Sequence, residues 1–311
     1  MDGLVRLAIA EQEAAGLEPI TDGGLRHPDP ALAIAGALEG IETRAGAPAL
    51  VRRVAAWSRP IFVDGWRFAA SCTDRAVKQA LPGPYSLGRK FAPGRLGRPA
   101  VTLALAEALN AELRALAAAG CPLIEVVEDA AVEIGDDPAE RGLFRDAQLR
   151  LTGGLDGVHL SLAIRGGSAD AAGAETIFAA PYASHLFDLC AGPDNWRLVV
   201  SAPGERGIVV GAEDAALATA EGPELHAFAI GYAASTGGRG QDRIGLATSG
   251  DMSRLTWVAA QAKMAAIGRT AGLYAGPPGS LAEAMDPRAV DIRSAALGRH
   301  APDPRDRARR P

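Results

Sequence analysis

The sequence predicts a single domain of parallel α/β architecture, at a length where TIM-type (β/α)8 barrels commonly close as one unit. Three observations predict it. Short apolar runs alternate with long alanine-rich helical segments, the pattern of strands crossed over by helices. The 311 residues, 48% of them hydrophobic, suffice for one large core. No internal repeat or interior linker divides them.

Residues 2–16 read as an amphipathic helix, with Leu4, Leu7, Ala8 and Ala15 on one face and Gly16 as its stop. Residues 17–20 read as a strand running into Thr21-Asp22-Gly23-Gly24. One or two short helices and a connection are expected over 30–57, and an extended or hairpin segment over 60–68. A strand over 76–81 meets the turn Pro82-Gly83-Pro84, and a strong helix over 102–119 is closed by Gly120. Residues 122–127 form a strand that is apolar except for Glu125 and ends at Glu128-Asp129. Further strands are expected over 157–164, 185–190, 208–211 and 244–247. Helices fill 137–153, 171–183, 213–219, 223–235 and 253–272, the last with Leu255, Val258, Ala259, Ala262, Ala265 and Ala266 as its core stripe. Seven strands follow the first helix and none precedes it. An eight-stranded barrel opens on a strand, so the first is missing or atypical.

Net charge is −5, which offers nothing to a polyanion and excludes nucleic acid as an expected partner. A basic, proline-containing tail over 299–311 is expected to be disordered, leaving 1–298 as the domain. Cys72, Cys121 and Cys190 are odd in number and in no CxxC spacing, the usage of a reducing compartment. No apolar run reaches the length of a membrane span, so a cytoplasmic protein without a membrane partner is expected. Gly237-Gly238-Arg239-Gly240 lacks the lysine and the flanking strand of a phosphate loop.

Several segments resemble one family in order and spacing across roughly residues 5–275. Residues 12–26, QEAAGLEPITDGGLR, resemble that family's QEEAGLDVITDGE-R stretch. Residues 77–87, VKQALPGPYSL, resemble its VK-LPGPYTL strand and loop. Residues 124–128 stand where it has IQIDEP, Val158-His159-Leu160-Ser161 where it has THxC, and Ser249-Gly250 with Arg254 where it has PDCGLxxR. The family is cobalamin-independent methionine synthase, in its short single-barrel form, and the resemblance implies a TIM-type barrel.

The resemblance also implies chemistry. In the family a zinc ion held by two cysteines, a histidine and a glutamate ionises the homocysteine thiol. Carried onto this chain, those positions become His159, Ser161, Asp188 and Ser249, so both sulfur donors are replaced by hydroxyls. The carboxylates that hold the amino-acid ammonium become Gly24 and Val127. Such a site loses its affinity for zinc. The expected activity is therefore one-carbon chemistry, methyl transfer or demethylation, on a small substrate other than homocysteine, of heteroaromatic or N-methyl type. His159, Asp188 and Glu128 are the expected catalytic residues. Asp22, Arg26, Ser161, Ser249, Asp129 and Trp66 are expected to bind substrate. His159 and Asp188 are the candidate ligands for a divalent transition metal harder than zinc, with a folate the weaker cofactor expectation. Two alternatives stand beside this: a folate-dependent methyltransferase acting on a thiol, and a barrel that binds a ligand without catalysis.

Overall fold

The computed structural model describes residues 1–46, 48–276, 280 and 284; the tail over 299–311 lies outside the described residues. Helix α1 (Asp2–Ala14) buries Val5, Ala8 and Ile9 and leaves Leu4 and Leu7 exposed, a face rotated from the expected one. The 17–20 segment contributes one parallel bridge, Ile20 to Val77. Helix α2 (Pro30–Ala37) starts on Asp29, whose carboxylate accepts from Leu32 N–H at 3.0 Å. An antiparallel pair follows, β1 (Glu39–Glu42) and β2 (Leu50–Ala56), where only helix and connection were expected. Nor is the 60–68 segment extended: it enters helix α3 (Val63–Ala70), because Val63, Trp66 and Ala69 recur at helical spacing and are all buried.

The β/α succession then runs β3 (Lys78–Pro82), α4 (Pro84–Lys90), α5 (Arg98–Ala118), β4 (Leu123–Val127), α6 (Pro138–Thr152) and β5 (His159–Ile164). It continues α7 (Ala174–Ile177), β6 (Ser184–Asp188), α8 (Trp196–Ser201), β7 (Gly207–Glu213), α9 (Pro223–Ala234), β8 (Ile244–Thr248) and α10 (Trp257–Ala275). Helix α4 was hidden by Pro84, which reads as a turn residue but here occupies the first helical turn, where a missing N–H costs nothing. The helices expected over 171–183 and 213–219 are not formed: the first is a 3-10 turn and the single turn α7, the second the end of β7 and a series of bends.

Strands β3 to β8 form one parallel sheet in sequential order, and Ile20 extends it by one position beyond β3. Among the described residues nothing pairs with the far edge of β8 or the far side of Ile20, so the expected missing first strand is a gap in the sheet. The helical layer bridges that gap. Gln261 of α10 donates to Glu11 of α1 at 2.8 Å, and Gly268 lies against the carbonyl of Ala15, which a Cβ at that position would meet at 1.6 Å. Gly268→Ala is accordingly expected to cost about 1–3 kcal/mol by wedging the two helices apart. Chemical denaturation with an unchanged midpoint would refute that.

Alternation assigns the two faces of the sheet. Ile124, Val126, Leu160, Leu162, Ile164, Phe187, Ile208 and Val210 are buried under the helices. The opposite face, the barrel lumen, carries Lys78, Ala80, Pro82, Glu125, Val127, His159, Ser161, Ser184 and Asp188. No helix among the described residues is long and apolar enough to cross a membrane.

Candidate functional site

A cavity of about 1020 Å³ opens at the carboxyl ends of the strands and extends down β3 as far as Lys78. Barrel enzymes place their chemistry at this end. Its wall is built from the loops after Ile20, β4, β5 and β8, from β3 and from the start of α3, including Asp22, His27, Phe62, Pro82, Asp129, Arg165 and Asp251. A smaller cavity of about 350 Å³ lies between α9 and α10, outside the lumen, lined by Glu221, Pro223, Ala266, Arg269 and Leu273 among others.

The rim is charged and mostly paired. Arg165 grips Asp129 with two parallel hydrogen bonds, Nε to Oδ1 at 3.0 Å and Nη2 to Oδ2 at 2.9 Å. Burial works against its charge, but Asp129, Glu125 and Asp251 outweigh burial and hold the guanidinium above its ordinary pKa. Lys90 pairs with Asp29 at 3.1 Å. Below the rim, Lys78 Nζ donates to Glu125 Oε2 at 2.8 Å across the lumen face of β3 and β4.

The structure separates the expected catalytic residues. His159 is the first residue of β5, level with Leu123 at the amino end of β4. Asp188 is the last of β6, one step past the Ile164–Phe187 pair. Six strand residues therefore divide the two levels, roughly 20 Å. The expected His159–Asp188 acid–base or metal pair is not formed. His159 instead shares a hydrogen bond of 2.8 Å between Nε2 and Ser184 Oγ, and Ser184 Oγ donates to Ser161 Oγ at 3.0 Å. Burial holds the imidazole below its usual pKa.

Asp188 works as a backbone clasp. Its carboxylate accepts from the N–H groups of Gly166, Cys190 and Ala191 at 2.9, 2.9 and 2.8 Å. Burial raises its pKa despite these donors. Ser249 is buried and its Oγ accepts from Ala215 N–H at 3.0 Å. Glu128, expected to be catalytic, is fully buried behind the cavity wall and ties down the start of α4. It accepts from Tyr85 N–H, Ser86 N–H, Ser86 Oγ and Gln148 Nε2 at 2.6–2.9 Å. Burial pushes it up to about 7 even so. A Cβ on Gly83 would overlap its carboxylate at 2.3 Å, which explains the glycine in the Pro-Gly-Pro turn.

Of the expected substrate-binding residues, Asp22 and Asp129 line the cavity. Asp22 also closes its own turn by accepting from Gly24 N–H at 2.8 Å. Arg26 turns away to pair with Asp2 and stacks over the Phe68 ring at 4.4 Å. Trp66 is core, its Nε1 donating to Val77 O at 3.0 Å. Ser161 is buried on the lumen face near the amino end of the strands, remote from the mouth. Sequence reasoning missed Lys78, Glu125 and Arg165. The available signal was a lone charge in each of two neighbouring strands, with strand alternation to say that both face inward.

The zinc site implied by the resemblance does not fit these residues. Its carried-over donors do not converge: His159 and Ser161 lie near the amino end of β5, whereas Asp188 and Ser249 neighbour each other at the carboxyl ends. Cys190 adds no ready thiolate, since burial and then Asp188 push its thiol up to about 12. Among the described residues no three His, Cys, Asp or Glu side chains converge as a metal site.

No protein-family model matches the chain. Two solved structures are similar to it. One is a B12-independent methionine synthase from Shewanella sp. W3-18-1 in complex with selenomethionine, 19% identical, with a TM-score of 0.77 over 87% of this chain and 86% of that one. The other is a putative vitamin-B12 independent methionine synthase from Listeria monocytogenes, 16% identical, with a TM-score of 0.71 over 89% and 87%. At such identities the likeness establishes the fold: this chain has the TIM-type α/β architecture that its sequence predicts.

Proposed function

We propose that the chain is an enzyme of one-carbon chemistry that transfers or removes a methyl group on a small molecule other than homocysteine, bound in the mouth cavity. One observation carries the reading: the fold resembles that of two methionine synthases, while His159 and Ser161 stand far from Asp188 and the cavity wall carries Arg165 paired with Asp129. Ionising a thiol at neutral pH calls for a soft cation with an open position. A mouth lined by an arginine salt-bridged to Asp129 favours a substrate that needs no such activation. The mixed donors and acceptors of the cavity wall support a heteroaromatic or N-methyl compound. Arg165 uses Nε and Nη2 on Asp129, which leaves Nη1 to meet an acceptor on the substrate.

The test is turnover of methylated heteroaromatic compounds by the purified chain with a tetrahydrofolate supplied to take the methyl group, read by mass spectrometry as its transfer, with metal content measured on the same sample. Turnover without stoichiometric zinc is the expected result. Arg165→Met should then lose about 100-fold in kcat/KM, on the order of 2.7 kcal/mol. Methylation of homocysteine by a stoichiometric zinc enzyme would replace this reading with the thiol methyltransferase that the similar structures suggest. Binding without turnover of any compound would leave a non-catalytic barrel.

A further inference from the structure

The lumen holds a charged pair that neither the fold nor the rim requires. Lys78 and Glu125 face each other from adjacent strands, their side chains 20% and 10% exposed. A buried ion pair is weak evidence of stabilisation, because apolar residues of similar size do as well or better. Lys78 lines the cavity, and Glu125 meets its ammonium from the next strand. The pair's bonding capacity is only partly used. Among the described residues Lys78 Nζ makes one hydrogen bond, leaving two ammonium protons, and Glu125 Oε1 has no donor.

The surroundings define what fits. From Lys78 to Pro82 the cavity runs about 13 Å along β3, the depth of one or two rings entering edge first. Above the pair the lumen wall is Ala80, Pro82 and Val127, which offer only apolar contact. The rim cations are engaged with their own carboxylates and do not supply a second anchor at this depth. A free anion would meet Glu125, and a free cation would meet Lys78. A neutral group with an acceptor and a donor side by side satisfies both.

We propose that Lys78 and Glu125 form the recognition floor of the cavity and select a substrate presenting a lactam or cyclic ureide edge. The ammonium donates to the ring carbonyl while the carboxylate accepts from the adjacent ring N–H. This rests on the mouth cavity being the substrate site and names the class of ring it takes.

The experiment compares 2-pyridone, which carries that edge, with 1-methyl-2-pyridone, which has lost the donor, by calorimetry on the full chain. Acetate and methylammonium serve as ionic probes. The wild type should bind 2-pyridone at least tenfold more tightly than its N-methyl analogue and either ion. Glu125→Gln should shift preference to acetate, and Lys78→Met to methylammonium, each by about tenfold, an inversion that a merely structural pair would not produce. The double variant Lys78→Met with Glu125→Leu removes both charges; it should fold and lose 2-pyridone. Equal binding of the two pyridones, no binding of 2-pyridone, or preferences unmoved by either single variant overturns the proposal. Methyl turnover in a cavity indifferent to 2-pyridone would sink this inference and spare the reaction reading.

Discussion

Lys263→Met is expected to destabilise the protein by about 3–5 kcal/mol, because it strands a carboxylate in the core. Lys263 of α10 and Glu213 at the end of β7 are both fully buried and meet at 2.7 Å. Lys263 Nζ also donates to Thr219 O at 2.6 Å, and Glu213 accepts from Glu221 N–H at 3.2 Å, so the pair pins the bends between β7 and α9. Burial opposes the Glu213 charge, but His226 and Lys263 outweigh it and hold its carboxyl below the usual range. His226 Nε2 lies 3.1 Å from the other carboxylate oxygen. Thermal melts should show a drop of roughly 10 °C at neutral pH. Glu213→Leu added to the variant should restore most of it. A single variant that melts like the wild type would show the pair to be dispensable.

The second large effect is acid lability set by His185. This residue of β6 is fully buried, with neither ring nitrogen hydrogen-bonded. It packs edge-on to Phe178 at 4.8 Å and stacks with Phe187 at 6.1 Å. Burial, then the charges of Arg206 and Arg239, lower its pKa from 6.5 to about 3. The depressed pKa means the unfolded chain takes up the proton first. The stability contributed by the neutral ring is complete above pH 6.5 and is lost as pH falls from there towards 3. Over that window the loss amounts to roughly 5 kcal/mol. His185→Phe should remove this dependence and raise stability at neutral pH too, since it deletes two unsatisfied polar atoms. Guanidinium melts at pH 7 and pH 4 measure both; an unchanged difference between the two pH values in the variant would assign the acid lability elsewhere.

Val63, Trp66 and Ala69 looked extended because Pro60 and the branched residues dominate a short window, whereas burial follows their spacing. Val258 was placed in the α10 stripe but is exposed, and Lys263 is buried, because the ion pair with Glu213 overrides the polarity of the side chain. His159 was matched by motif to the mouth and lies at the opposite end of the sheet. Motif spacing places a residue on a strand, but its height depends on which residues the neighbouring strands hydrogen-bond, and that register is a long-range property.

What the sequence by itself determined is the α/β class and the positions of the six parallel strands, because these follow from local periodicity and residue chemistry. Only the tertiary structure decided that His159 and Asp188 stand apart, that Glu128 braces α4, that Lys78 and Arg165 line the cavity, and that Glu125 meets Lys78. Those facts depend on strand register, on which face each side chain takes and on the partner it meets there, and all three are settled between segments far apart in the chain.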